Sequence, residues 1–285
     1  MARITQLLDA GPTLSFEFSA PRDEDGADRL RQTLSRLSRH QPHFMSVTYG
    51  AGGTTRGPTR DWVQTIRDHF QVEAMPHLTC VAHTRDEIAA IIREYQADDV
   101  DNILALRGDL PHGLDTPTQA FDTAADLADF IRDRADWDIG VAAHPEGHPM
   151  AVSVEADLTH QARKLRRADF AITQFGYRAE YYRQFVDQLD ARGVDTPVIP
   201  GIMPPTNVAG IERMSALNAT EFPTEIRDRL EQAANSAERR QIGVEVAANL
   251  GRELLDLGAP GLHIYTMNFA RAASEVASAL GWPAD

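Results

Sequence analysis

Eight short apolar runs recur along the chain, and a polar segment with helical spacing follows each one. The runs are residues 14–18 (LSFEF), 44–49 (FMSVTY), 75–81 (MPHLTCV), 102–106 (NILAL), 139–143 (IGVAA), 171–175 (AITQF), 198–202 (VIPGI) and 262–266 (LHIYT). Residues 28–37 and 87–95 carry clear helical periodicity, and Thr84 followed by Glu87 reads as a capping box opening the second. Strand and helix alternating in this way mean parallel strands joined by helical crossovers. Eight such units predict a closed (β/α)8 TIM barrel rather than a doubly wound sheet. The helices after strands seven and eight are less regular. Residues 206–250 read as a longer helical insertion, with apolar stretches at 226–230 and 242–255. No linker rich in Gly, Pro or Ser interrupts the pattern, so 1–285 is read as one domain.

Composition fits this reading. The 285 residues match the usual size of a barrel, and 42% apolar residues suffice for a large core. No apolar stretch is long enough to span a bilayer, and the first residues carry no signal-peptide pattern. A single cysteine, Cys80, precludes an intramolecular disulfide and fits a reducing cytoplasm. The net charge of −14 argues against a nucleic acid or an anionic membrane as partner. Lys164 is the only lysine.

Barrel enzymes carry their chemistry where strands run into βα loops, and polar residues should crowd those strand ends. Here Glu17, Thr48-Tyr49, His77 with Thr79, Arg107-Gly108-Asp109, His144-Pro-Glu146-Gly-His148, Thr173-Gln174 and His263 with Tyr265 do so. Side chains alternate along a strand, so Leu14, Phe16 and Phe18 share one face while Glu17 points to the other, into the barrel. A carboxyl shielded from bulk water favours its neutral form and can donate a proton near neutral pH. A Glu paired with an Arg purely for structure would look the same in sequence. Arg107 suits phosphate, and Gly108 permits close backbone approach. His144, Glu146 and His148 lie close together, but Pro145 and Pro149 oppose the helix that a zinc HExxH motif needs, so no metal is expected. Gly50-Ala51-Gly52-Gly53 matches neither phosphate-loop pattern and reads as a turn. Cys80 reads as core packing.

Taken together, the strings SFEFSAPR (15–22), SVTYGAGG (46–53), PHLTC (76–80), ALRGDLP (105–111), VAAHPEGHP (141–149), AITQF (171–175), IPGIMP (199–204) and LHIYTMN (262–268) resemble the flavin-dependent methylenetetrahydrofolate reductase family. The resemblance runs in order over nearly the whole chain. It implies FAD at the C-terminal face of the barrel, NAD(P)H as electron donor and 5,10-methylenetetrahydrofolate as the group reduced. By the same resemblance Glu17 is the acid that opens the folate ring, Asp109 contacts the pterin and tunes the flavin, and Gln174 binds the pterin or nicotinamide. Thr48, Tyr49, Ala51, His77, Arg107, Gly108, Asp109, His144, His148, Asp157, Arg163 and Lys164 fall on cofactor positions. Tyr182, Tyr265 and Arg271 fall near folate positions. A homo-oligomer without the extra regulatory domain of larger members is expected.

The chain departs from the family pattern on the substrate side. His144 stands where a tyrosine is usual, Phe269 where an arginine is, and Gly210 and Met214 where a glutamine and an aromatic are expected. FFD after the strand-six glutamine becomes Gly176-Tyr177-Arg178, and Arg271 is the nearest substitute for the missing arginine. Two alternatives follow: a flavin reductase of this fold acting on another pterin or one-carbon carrier, and a metal-dependent barrel hydrolase using His77, His144, His148 and Asp109.

Overall fold

The computed structural model describes residues 2–50, 56–108 and 120–284. Strands β1 (Thr13–Ser19), β2 (Phe44–Thr48), β3 (Glu73–Thr79), β4 (Asn102–Leu106), β5 (Asp138–Ala143), β6 (Phe170–Phe175), β7 (Val198–Ile202) and β8 (Gly261–Tyr265) are parallel. They close in sequence order, β8 pairing back onto β1, so the barrel predicted from the apolar runs is the fold observed. Helices α2 (Glu24–Leu37), α3 (Arg56–Phe70), α4 (Arg85–Ala97), α5 (Ala124–Arg132), α6 (Val154–Leu165) and α7 (Ala179–Asp190) lie between the strands as far as β7. Between β7 and β8 the chain forms α8 (Val208–Asn218), α9 (Thr224–Glu231) and α10 (Ser236–Asp256), and α11 (Ala270–Ala279) ends the succession. Among the described residues no helix is long and apolar enough to cross a membrane.

Alternation along the strands sorts side chains into two cores. Leu14, Phe16, Phe18, Met45, Val47, Ile103, Val141 and Ile264 face the helices and are fully buried there. Each such side chain contributes roughly 1.5–3 kcal/mol relative to exposure. A smaller cluster of Phe44, Met75, Leu104, Phe170, Ile172 and Ile199 fills the barrel interior. Its floor is a short helix that the periodicity did not predict, α1 (Ile4–Ala10). Ile4 joins the interior cluster, its N–H donates to Asn102 Oδ1 at 2.8 Å, and Thr5 donates twice to Asp138 Oδ2. Asn102 and Asp138 open neighbouring strands in register, so these buried polar groups serve to seat the plug. The barrel is therefore closed below by α1.

Local signals place most boundaries. Thr84 caps α4 with the predicted reciprocal bonds to Glu87. Strand β3 ends at Thr79 rather than running on to residue 81, because Cys80 and Val81 turn to donate to the Arg107 carbonyl and Ala82 adopts φ +66°.

Candidate active site

The register of β1 fixes what surrounds Glu17. It lies beside Ser46 on β2 and Tyr265 on β8, while Ser15, one layer below, lies beside His263. The Glu17 side chain is 19% exposed, and its Oε2 stands 3.6 Å from both His77 Nε2 and His263 Nε2. Among the described residues no Arg or Lys pairs with it. His77 is buried, and burial pushes its pKa down to about 4, with nearby Glu17 opposing and His263 adding to the fall. His77 is therefore neutral at physiological pH, and its Nε2 has no hydrogen-bond partner among the described residues. Tyr265 packs edge-on to His263 and donates to the Thr173 carbonyl at 2.7 Å.

A second group forms where β4 and β5 meet α6. Pro145 and Gly147 turn the chain after β5, Gly147 at φ +95°, and no helix forms there, as the prolines require. Asp157, Gln161 and Lys164 are spaced i, i+4, i+7, so one face of α6 presents all three. Gln161 grips the backbone of His144 at both its N–H (2.7 Å) and its carbonyl (2.9 Å), and donates to Asp157. Asp157 in turn accepts from the His148 N–H. The His144 and His148 rings meet edge to face. Burial, then the charges of Lys164 and His148, hold the His144 pKa down to about 3. Burial lowers Lys164 to about 8, with Asp157 opposing. Arg107 Nη2 lies 3.3 Å from Met150 Sδ, and its charge also reaches His148. Gly108 takes φ +83°, and a Cβ there would stand 2.8 Å from Thr79 Cβ.

A third group lines a cleft of about 420 Å³ between β5, β6, β7 and the end of α8. Gln174 Nε2 donates to Asn218 Oδ1 at 2.9 Å, and its Oε1 accepts from the Phe175 N–H. Glu146 accepts from the Glu221 N–H at 2.6 Å, while Arg178 and Tyr181 hold the Glu221 carboxylate. Burial pushes Glu146 up to about 7. The folded chain therefore binds more protons than the unfolded chain between the ordinary carboxylate range and pH 7, and stability falls as pH rises through that window. Glu146→Gln keeps an acceptor for Glu221 without the charge. Its melting temperature should gain on the parent protein between pH 5 and pH 8, as calorimetry at both pH values would show. An unchanged difference would mean Glu146 ionises normally.

The remaining expected residues are scattered. Thr48 is half-buried, and its carbonyl accepts from Thr59. Tyr49 meets His83 Nε2 at 2.9 Å. Arg163 is exposed on α6. The Tyr182 hydroxyl donates to the Val198 carbonyl within the core, and it is Tyr181 whose hydroxyl reaches the Glu221 carboxylate. Arg271 is exposed and pairs with Glu275 on its own helix, four residues on. Ala51 and Asp109 lie outside the described residues. Among the described residues no three His, Cys, Asp or Glu side chains converge as metal ligands. Gln161, Asn218 and Ser15 were missed. For Gln161 the signal was present, in its spacing from Asp157 and Lys164.

A closed barrel with polar and titratable side chains gathered at the C-terminal ends of its strands is the architecture of a barrel enzyme. Sequence comparison gives the family. A profile of the methylenetetrahydrofolate reductases matches residues 3–281. The 5,10-methylenetetrahydrofolate reductase of Salmonella typhimurium is 38% identical over 270 residues, covering 94% of this chain and 90% of that one. That of Escherichia coli is 37% identical over the same coverage. A maize methylenetetrahydrofolate reductase (NADH) is 33% identical, but the chain spans only 49% of its length. The chain belongs to the methylenetetrahydrofolate reductase family. In fold it is similar to a Clostridium thermocellum protein that binds two copies of 5-methyl-5,6,7,8-tetrahydrofolic acid, with TM-score 0.70, 15% identity and 97% of each chain covered.

Proposed function

We propose that this protein reduces 5,10-methylenetetrahydrofolate to 5-methyltetrahydrofolate, with NAD(P)H as donor and FAD as the bound carrier. The observation that carries the reading is Glu17, a carboxyl set in the barrel mouth against two imidazoles, with no Arg or Lys paired to it among the described residues.

The rim fits a dinucleotide flavin. Lys164 is buried without a hydrogen bond or ion pair to any described residue, and Arg107 reaches the same His148. Such cations match a pyrophosphate. At Gly108 the left-handed φ and the closeness of Thr79 both call for glycine, so the backbone can turn tightly after β4. In this reading Arg107, His148 and Lys164 hold the phosphates, with Asp157 and Gln161 fixing the loop that carries His144 and His148. His77 and Gly108 border the ring, and Thr48, Tyr49 and Arg163 belong to the wider cradle. When bound, FAD supplies hydride transfer from the nicotinamide to the one-carbon unit.

The chain's own residues do the rest. Gln174 offers its second amide hydrogen and a carbonyl lone pair to the pterin or to the nicotinamide. Glu17 gives its proton to N10 of the folate. The bond from N10 to the bridging carbon then breaks with its electron pair on N10, leaving a reactive iminium at N5. The outer rim favours a second reading of the substrate tail. Phe269 is 74% exposed and Arg271 is tied to Glu275, so an anionic tail meets less positive charge here than the family pattern supplies.

The test is spectroscopic. Protein reconstituted with FAD should show a flavin spectrum that NADH or NADPH bleaches anaerobically and methylenetetrahydrofolate restores. No flavin uptake, or no restoration, would overturn the proposal, and restoration by another reduced pterin alone would favour the second reading.

Lys164 gives a second test because it is the only lysine. Reductive methylation with ¹³C-formaldehyde labels it and the N-terminus alone. In flavin-free protein the lysine signal should titrate near pH 8. FAD should move the midpoint upward, since a nearby phosphate favours the charged amine. An unmoved midpoint would place the pyrophosphate elsewhere.

A further inference from the structure

The imidazole of His263 lies directly beneath Glu17 and is fully buried. It stacks on Phe44, with ring centroids 5.9 Å apart and 17° between planes, so its ring orientation is fixed. Its two nitrogens meet different partners. Nδ1 lies 2.8 Å from Ser15 Oγ, and Ser15 Oγ lies 3.2 Å from the Leu262 carbonyl oxygen. A carbonyl oxygen only accepts, and a serine hydroxyl has one proton to give. Both contacts are satisfied together only if Ser15 donates to Leu262 and accepts from an Nδ1–H of His263. The ring is then the Nδ1–H tautomer, and Nε2 carries a bare lone pair. That lone pair faces upward, 3.6 Å from Glu17 Oε2 and 3.5 Å from Ser46 Oγ.

We propose that His263, held in the Nδ1–H tautomer by Ser15, is a positioning residue whose Nε2 lone pair aims the Glu17 carboxyl by accepting its O–H. A lone pair facing a carboxylate is repulsive, whereas the same lone pair facing a carboxylic acid accepts its O–H. The contact at 3.6 Å needs only a rotation of the terminal carboxyl torsion, which is soft, to reach hydrogen-bond length. The other titratable groups facing this pair are His77 on β3 and Tyr265 on β8. Burial holds the His77 pKa down to about 4 and raises the Tyr265 hydroxyl well above its ordinary range, so neither places a positive charge beside Glu17. The carboxyl so aimed gives its proton to a basic N10, and the proton returns from solvent once product has left. The role of Glu17 in ring opening rests on the function proposed above, but the tautomer does not.

Two measurements separate those parts. In ligand-free protein, ¹⁵N–¹H long-range correlation of the histidine side chains should show Nδ1 protonated and Nε2 unprotonated for the signal that His263→Gln removes. Ser15→Ala should release that tautomer. In FAD-loaded protein, His263→Asn keeps the Nδ1-side donor but loses the acceptor, and should slow flavin reoxidation by methylenetetrahydrofolate on the order of 10-fold or more. Bleaching by the nicotinamide should stay within about twofold, because no proton donor is needed there. His263→Gln, which restores an acceptor oxygen near the Nε2 position, should recover most of the loss. In a Glu17→Gln background His263→Asn should have no further effect. An Nε2–H tautomer in the ligand-free protein, equal loss in both half-reactions, or full additivity with Glu17→Gln would each overturn the inference. If the tautomer is as stated but the protein takes up no flavin, the proposed function fails and the positioning geometry stands.

Discussion

Replacing Glu17 with Gln should cut flavin reoxidation by methylenetetrahydrofolate by about 10²–10⁴-fold while leaving FAD uptake and bleaching by NAD(P)H intact. That range is what a positioned general acid contributes when ring opening depends on it. The amide matches the carboxyl in size and meets the same two imidazoles, so no cavity or clash arises. Because no Arg or Lys among the described residues pairs with Glu17, none of them is left without its partner, and the melting temperature should move little. Anaerobic stopped-flow on each half-reaction separately provides the measurement. Equal loss in both half-reactions would show that Glu17 shapes the cavity rather than donating a proton. No loss in either would remove it from the chemistry.

The position of Glu17 was legible in the sequence, whereas its surroundings were not. Glu17 is legible because strand alternation between Phe16 and Phe18 forces it inward, and inward near the end of β1 means the mouth. His263 is inward by the same rule, yet nothing local says whether it serves ligand, core or acid. Its role comes from the closure of β8 onto β1, which brings Ser15 and Glu17 to it across almost the whole chain. The floor helix α1 was invisible for a related reason. Seven residues, with Ile4, Leu7 and Leu8 as the large apolar side chains, are too short a stretch to carry a clear periodic signal, and its fit to Asn102 and Asp138 fixes it.

Helical positions blur in another way. One residue turns a helix by about 100°, so a slip of one position exchanges a core side chain for one at the cleft. Tyr182 and Tyr181 show this: the hydroxyl of the first bonds a buried backbone carbonyl, and that of the second reaches the Glu221 carboxylate. Gln161, by contrast, was readable in principle. The spacing Asp157–Gln161–Lys164 places three polar side chains along a face that an amphipathic barrel helix would otherwise bury as apolar.

Gly201→Ala should cause the largest loss of stability of any single methyl addition near the site, because the two cores and the mouth meet there. Gly201 on β7 lies in register with His263 and in contact with the ring of Tyr265. A Cβ at this position would stand well inside van der Waals contact with both the Thr173 carbonyl oxygen and Tyr265 Cε2. The carbonyl cannot yield without breaking the β6–β7 pairing, where the Gly201 N–H also donates to Thr173 Oγ1 at 2.9 Å. The ring cannot yield without breaking the Tyr265 bond to the same Thr173 carbonyl. Overpacking of this kind costs roughly 3 kcal/mol, the upper end of its usual range. That corresponds to a fall in melting temperature on the order of 6–12 °C. Gly57→Ala is the matched control: nothing lies within 4 Å of its Cβ, and it sits in the first turn of α3, where alanine is favoured over glycine. A Gly201→Ala protein that melts with the parent would mean that β7 shifts freely against β8, and then the register that sets Tyr265 beside Glu17 and His263 beneath it would not be rigid enough to aim a proton.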